Sequence, residues 1–226
     1  MTMINFKNNI GYDEIFILDA IDDYTFNAEE FKNELNNCQG NEIHLLISSP
    51  GGSVTLGNTM ANMIQDYKKR TGKKVKAVIN GLCASIATQI ALSADEVVMY
   101  KNSLFMIHNA SCGVYGSKED LLKQIEVLDK IDNILASTYA DKTGLSIEEC
   151  LDLMSKETWL NAEEALQLGF IDSIVDQEIQ LVACADVSKL NFKNTSKLEN
   201  LINKVKEKEL EKELLAMYRW LDNFDI

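Results

Sequence analysis

The chain has 226 residues, 46% of them hydrophobic and 25% charged, a balance that supports one large globular domain or one domain plus an appendage. Its net charge of −13 argues against a nucleic-acid-binding surface, which needs a basic patch to displace counterions. No run approaches the ~20 apolar residues that span a bilayer. The start, MTMINFKNNIGYDE, has no basic segment followed by an apolar one, so no secretory signal is expected.

Residues 14–21, EIFILDAI, are a short apolar run with β-favouring residues. NAEEFKNELNNC reads as a helix, with Asn27 as N-cap, Glu30 at the third position, and Phe31 and Leu35 on one face. EIHLLISS (42–49) is a strand, and it leads into SSPGGSV, where the only proline of the chain stands beside two glycines. TLGNTMANMIQDYKKRTG (55–72) is helical, with Met60, Met63, Ile64 and Tyr67 on one face and Gly72 as C-cap. KVKAVING (74–81) is a strand and CASIATQIALSA (83–94) a nearly all-apolar buried helix, followed by strands in EVVMY (96–100) and LFMIHN (104–109). The order β-α-β-α-β-β with short links predicts an α/β fold with a mostly parallel sheet.

Residues 117–144 form a long amphipathic helix, with Ser117 and Asp120 in its first turn. Leu121, Ile125, Leu128, Ile131 or Asp132, and Leu135 trace one stripe along it. Shorter helices lie in SIEECLDLMS and in NAEEALQLG, the latter capped by Asn161 with Glu164 in the reciprocal position. After FIDSIV (170–175) the organisation loosens, and a Lys/Glu-rich amphipathic helix runs from Ser196 to about Trp220. The expected organisation is one domain over 1–176 and a C-terminal extension over 177–226.

The five cysteines, Cys38, Cys83, Cys112, Cys150 and Cys184, are odd in number and never closer than 29 residues, which gives neither a CxxC pair nor a zinc spacing. Reduced thiols in a cytosol-like compartment follow. No GxxxxGK[ST] or GxGxxG motif is present, so a nucleotide site has little support. The more specific stretch is GLCASIA (81–87). A serine at the start of a buried helix, after a strand and a glycine-bearing turn, is placed where neighbouring N–H groups can hold an oxyanion, although Ser85 as a simple N-cap is the plainer alternative. A serine nucleophile needs a base and a third group to orient that base. The chain has two histidines: His108 emerges at the end of an apolar strand, whereas His44 lies inside EIHLLI and reads as structural. The acids are too many for composition to choose among them.

SPGGSV, GLCASIA, MIHNA and ETWLNAEEALQLGFID, in that order and at that spacing, resemble the Clp protease proteolytic subunit family of serine peptidases over roughly residues 12–175. In detail, MIHNA…GVYG, EDLLKQIEVLDKID, YADKTGLSIEE and ETWLNAEEALQLGF look closest to its phage branch, the head maturation (prohead) proteases. The resemblance implies an α/β spiral of repeated β-β-α units, of the Clp/crotonase type, with a protruding handle helix. It implies Ser85 as nucleophile, His108 as general base and Glu157 as the orienting acid. Glu157 stands where the family usually has aspartate, with Asp152 and Asp172 as fallbacks. The N–H groups of Gly51 or Gly52 and of Ile86 would form the oxyanion hole, and the residues after the glycines, Ser53 and Val54, would pair with the substrate backbone. Cys83 is read as a small packing residue.

The expected function is a serine endopeptidase that processes phage scaffold or capsid precursors during head maturation, in a bacterial or phage-infected cytoplasm. It would need no cofactor and no metal, and would assemble as a homo-oligomer, a ring or stacked rings, with contact to an unfoldase or to portal or capsid proteins. The alternatives are a cellular Clp proteolytic subunit fed by an ATP-dependent unfoldase, and a non-proteolytic relative of the crotonase type.

Overall fold

The computed structural model describes residues 6–8, 11–25 and 27–175. The expected extension over 177–226, with its Lys/Glu-rich helix, lies outside the described residues. In chain order the elements are β1 (Phe6–Asn8), β2 (Tyr12–Ile17), α1 (Ala28–Asn37), β3 (Glu42–Ser49), α2 (Val54–Thr71), β4 (Lys74–Ala84) and α3 (Ile86–Leu92). They continue with β5 (Glu96–Tyr100), β6 (Leu104–Ile107), α4 (Lys118–Thr143), α5 (Ile147–Ser155), β7 (Thr158–Leu160), α6 (Ala162–Gln167) and β8 (Ser173–Val175).

Among the described residues one sheet carries all eight strands. Its main path is β1-β2-β3-β4-β5-β8, and β6 leaves that path from β4 and carries β7. The pairings from β2 to β5, the β4–β6 branch and β5–β8 are parallel, while β1 on β2 and β7 on β6 are antiparallel. This is the mixed α/β layout the element order implies, because helical crossovers return the chain to parallel strands.

The fork at β4 positions the site. Its first half, Lys76–Ile79, pairs with β5, and its last three residues, Leu82–Ala84, pair with β6. Gly81 stands at the change of partner, where a Cβ would lie 2.4 Å from Ser48 Oγ and would have to displace that hydroxyl. The sequence pattern put a helix start at residue 83. The structure instead keeps Leu82–Ala84 in the sheet and starts α3 at Ile86, because these residues gain ladder hydrogen bonds with Leu104–Met106.

Helix ends follow local chemistry. The Asn27 side chain accepts from the N–H groups of Glu29 and Glu30, and Gly72 closes α2 in the left-handed region at φ 69°. Ser117 and Asp120 form a reciprocal capping box at α4, as Asn161 and Glu164 do at α6. The α4 stripe packs over only part of its length. Leu121 and Ile125 are 42% and 54% exposed, and burial begins with Asp132, Leu135, Ala136 and Tyr139. The N-terminal half of α4 therefore presents apolar side chains to solvent.

Candidate active site

The end of β4 delivers Ser85 into a sharp turn with φ 56° and ψ −131°. That conformation is rare for a residue with a Cβ and costs on the order of 1–3 kcal/mol. It is held by the Ser85 N–H donating to the Met106 carbonyl at 2.9 Å and by the Thr88 N–H donating to the Ser85 carbonyl at 3.0 Å. The Ser85 hydroxyl makes no N-capping bond to α3. It lies 2.8 Å from His108 Nε2, so the plain capping alternative does not describe it. His108 follows the last residue of β6, and the parallel register of β4 with β6 brings the two ends together.

Glu157 arrives from the other side of β6. The antiparallel ladder runs Phe105↔Leu160, Met106↔Trp159 and Ile107↔Thr158, so His108 directly follows, and Glu157 directly precedes, the residues of its last rung. Glu157 is 6% exposed, its Oε1 accepts from the Trp159 indole N–H at 3.2 Å, and its φ is 50°. Among the described residues, Ser85 and Glu157 are the non-glycine positions with positive φ. Such backbone conformations concentrate where function over-determines the geometry.

The glycine pair forms the facing wall. The Gly51 N–H donates to Ser49 Oγ at 3.1 Å, and its carbonyl accepts from the Ile21 N–H at 2.8 Å. The Ser53 N–H donates to the Ile21 carbonyl at 2.7 Å, which completes a parallel bridge between Ile21 and Gly52. In such a bridge the N–H and C=O of the central residue point away from the partner strand. Of the two glycines expected to supply an oxyanion donor, Gly51 has its amide engaged and Gly52 turns its amide to the open side. Gly51 instead brings backbone close: a Cβ on it would be 3.0 Å from the Ile86 amide nitrogen. Ile86 opens α3, and the first amides of a helix have no partner within it.

Ser53 and Val54, expected to pair with the substrate backbone, open α2 rather than extend β3. Ser53 is the N-cap of α2, its N–H engaged by Ile21 and its carbonyl by the Gly57 N–H at 3.0 Å, and Val54 is the first helical residue. The capping preference of serine, three residues ahead of Leu56, overrides extension of the strand.

A protein-family description, Clp protease, matches residues 12–178. The chain belongs to the Clp protease family. It is 32% identical over 139 residues to the ATP-dependent Clp protease proteolytic subunit of Streptococcus agalactiae serotype V, an alignment that covers 60% of this chain and 69% of that protein. The corresponding subunit of Paracoccus denitrificans is 32% identical over 135 residues, covering 59% and 66% of the two chains. A solved structure of a ClpP1 point mutant from Listeria monocytogenes superposes with a TM-score of 0.62 at 23% identity, over 73% of this chain and 91% of that one. The expected Clp fold is thus the fold observed.

Within this Clp family member, the remaining sequence candidates separate cleanly. Asp172 accepts from Lys142 Nζ at 2.7 Å and from the Val97 N–H at 2.7 Å, and Asp152 pairs with Lys156 on α5. These contacts place both fallback acids in structural ion pairs. His44 stacks on Tyr12 with ring centroids 4.2 Å apart and lies 3.4 Å from Glu42, the structural role its strand position implied. Cys83 is fully buried, and that burial pushes its thiol far above the ordinary range, which suits packing and disfavours the nucleophilic thiolate. No group of three His, Cys, Asp or Glu side chains among the described residues is arranged to hold a metal ion.

One acid at the site went unmarked by the motifs. Asp132, on α4, is 8% exposed, and its Oδ1 accepts from the Ala110 N–H at 2.7 Å, two residues beyond His108. Burial pushes its carboxyl above the ordinary range and Asp129 adds to the rise, while the Ala110 N–H and the charge of His108 act the other way. Its signal in the sequence was an aspartate in the middle of an apolar stripe.

Proposed function

We propose that this chain is a serine endopeptidase with Ser85 as nucleophile, His108 as general base and Glu157 as the acid that orients His108. The observation that carries this reading is the 2.8 Å contact of Ser85 Oγ with His108 Nε2, made by a serine held in a strained turn. In the proposed cycle His108 takes the Ser85 proton as Oγ attacks the scissile carbonyl, then returns it to the departing amine. The Gly52 and Ile86 amides bind the oxyanion that forms, and a donor of this kind contributes about 3 kcal/mol to the transition state. The open edge at Gly52 and the exposed segment 111–116 flank the groove that an extended peptide would enter.

The proposed setting is the cytoplasm of a phage-infected or lysogenic cell, where the enzyme processes scaffold and capsid precursors. Support comes from the phage-type strings EDLLKQIEVLDKID and ETWLNAEEALQLGF. A ring-forming homo-oligomer is supported by the exposed apolar residues of α4, Leu121, Leu122 and Ile125. A second reading, a subunit fed by an ATP-driven unfoldase, draws on the relatives, whose names describe them as ATP-dependent. The test incubates wild type and Ser85→Ala with the structural proteins encoded beside this chain. Cleavage by wild type alone supports the proposal, and equal processing by both chains overturns it. Cleavage of folded substrates only after addition of an unfoldase and ATP selects the second reading.

A further inference from the structure

Four residues form the buried face of α4: Asp132, Leu135, Ala136 and Tyr139, at the i, i+3, i+4, i+7 spacing of a packing stripe. Three of them suit that place. The fourth is an acid, and a buried carboxylate is costly unless hydrogen bonds or a countercharge compensate it. The compensation is specific. The rest of the stripe fixes α4 against the nucleophile helix: Tyr139 Oη lies 2.7 Å from Thr88 Oγ1, and Gln89 Nε2 donates to the Leu135 carbonyl at 3.3 Å. One turn earlier, Asp132 takes the Ala110 N–H into a 2.7 Å bond. The same helix therefore holds α3, which begins just after Ser85, and the backbone just after His108.

We propose that Asp132 is a positioning residue of the Ser85–His108 pair: its carboxylate anchors the chain beyond His108 and supplies a second negative charge for the imidazolium that forms during acyl transfer. The inference rests on the serine-peptidase reading, and it assigns a role to a residue outside the Ser85, His108 and Glu157 set. A charge that favours protonated His108 stabilises the state in which the base has accepted the Ser85 proton, which is the state the attack must pass through. The groups facing this carboxylate are the Ala110 N–H and His108 on the loop side and Asp129 one turn back on α4. Glu157 immediately precedes β7, which pairs with β6 on the edge opposite β4, the strand that leads into Ser85.

Asp132→Asn separates the two roles, because the amide oxygen still accepts from Ala110 while the charge is gone. The full chain has two histidines, so in a His44→Gln background the imidazole NMR titration reports His108 alone. We expect His108 in Asp132→Asn to titrate at lower pH than in its parent. We expect kcat/KM on a fluorogenic peptide amide to fall roughly tenfold, within the range of general acid–base contributions. The acid limb of the pH–rate profile should move in the same direction as the titration. Asp132→Glu keeps the charge and should return the titration towards the parent value. An Asn variant with the parent titration, or Glu and Asn variants that titrate alike, overturns the proposal. If His108 shifts as expected while a fluorophosphonate fails to label Ser85 in the parent, the peptidase reading falls and the Asp132–His108 coupling stands. Normal labelling with no shift removes the role of Asp132 alone.

Discussion

A Cβ placed on Gly51 would stand 2.6 Å from the Cβ of Ser85 and 2.6 Å from the Ala84 carbonyl oxygen. The loop after β3 and the turn after β4 thus touch backbone to backbone, and glycine at φ 87° is what permits the contact. Gly51→Ala is expected to lower kcat/KM by roughly 100-fold, because displacing the turn moves Ser85 relative to the proposed oxyanion donors. The variant should also melt lower, through clash and strain of about 1–3 kcal/mol. Gly52→Ala should destabilise further still, since its Cβ would lie 2.3 Å from the Ile21 carbonyl oxygen. Thermal melts and peptidase assays on both variants check this, and a Gly51→Ala enzyme of wild-type activity would show the loop to be an ordinary turn.

The strain at Ser85 predicts a stability ranking. Ser85→Ala and Ser85→Gly should both lack peptidase activity. Glycine adopts φ 56° without the Cβ penalty, so Ser85→Gly should be more stable than Ser85→Ala by about 1 kcal/mol despite its greater unfolded-state entropy. Denaturant unfolding of the pair measures the difference directly. An alanine variant as stable as the glycine one would mean the turn stores no strain.

The acid opposite His108 is distinguishable from the structural acids. Glu157→Gln is expected to reduce kcat by two to four orders of magnitude, roughly the range found when the orienting acid of a triad becomes an amide. Asp172→Asn should leave kcat near wild type and lower the melting temperature, because it weakens a contact with Lys142. A kcat measurement on the two variants decides between them.

Burial raises the Asp132 carboxyl pKa, and this has a definite sign for stability. A carboxyl whose folded-state pKa exceeds its unfolded-state value binds more protons when folded. Its ionisation therefore destabilises the protein as pH rises from the unfolded value through the folded one. Asp132→Asn should be the more stable protein at neutral pH, and the difference should vanish below the ordinary carboxylate range of about 4. Melting curves of both chains across that interval test the sign. A gap that widened as the pH fell would contradict it.

The exposed end of α4 predicts an assembly defect without a chemical one. Leu122 and Ile125 are 51% and 54% exposed, so a glutamate at either site leaves the described core untouched. Leu122→Glu and Ile125→Glu are expected to shift the oligomer to smaller species in analytical ultracentrifugation while the melting transition of the subunit persists. Leu135→Ala, on the packed half, should instead cost about 2–5 kcal/mol of stability.

The parts that sequence disclosed are those encoded locally. Caps at Asn27, Ser117 and Asn161, the αL glycine at Gly72 and the apolar face of α2 are patterns within a few residues, and the structure has them. Ser85 stood out at the start of an apolar helix and His108 at the end of an apolar strand, and the structure brings their side chains within 2.8 Å. What was not legible depends on register between distant strands. Nothing local tells Leu82–Ala84 to leave helix for sheet, since their partner lies some twenty residues later. The different orientation of the Gly51 and Gly52 amides turned on Ile21, whose bridge lies outside any named strand. Asp132 was visible only as a break in an apolar stripe, and its meaning required the loop that α4 covers.

The fork at β4 also orders events in the life of the molecule. Ser85 owes its turn to the Met106 carbonyl, and the strand β7 that follows Glu157 joins β6 only about fifty residues further on. A chain emerging from the ribosome N-terminus first can form β2, β3 and most of β4 while the turn at Ser85 still has nothing to hold it. The proposed site is then completed only when β7 joins β6, as a property of the finished sheet.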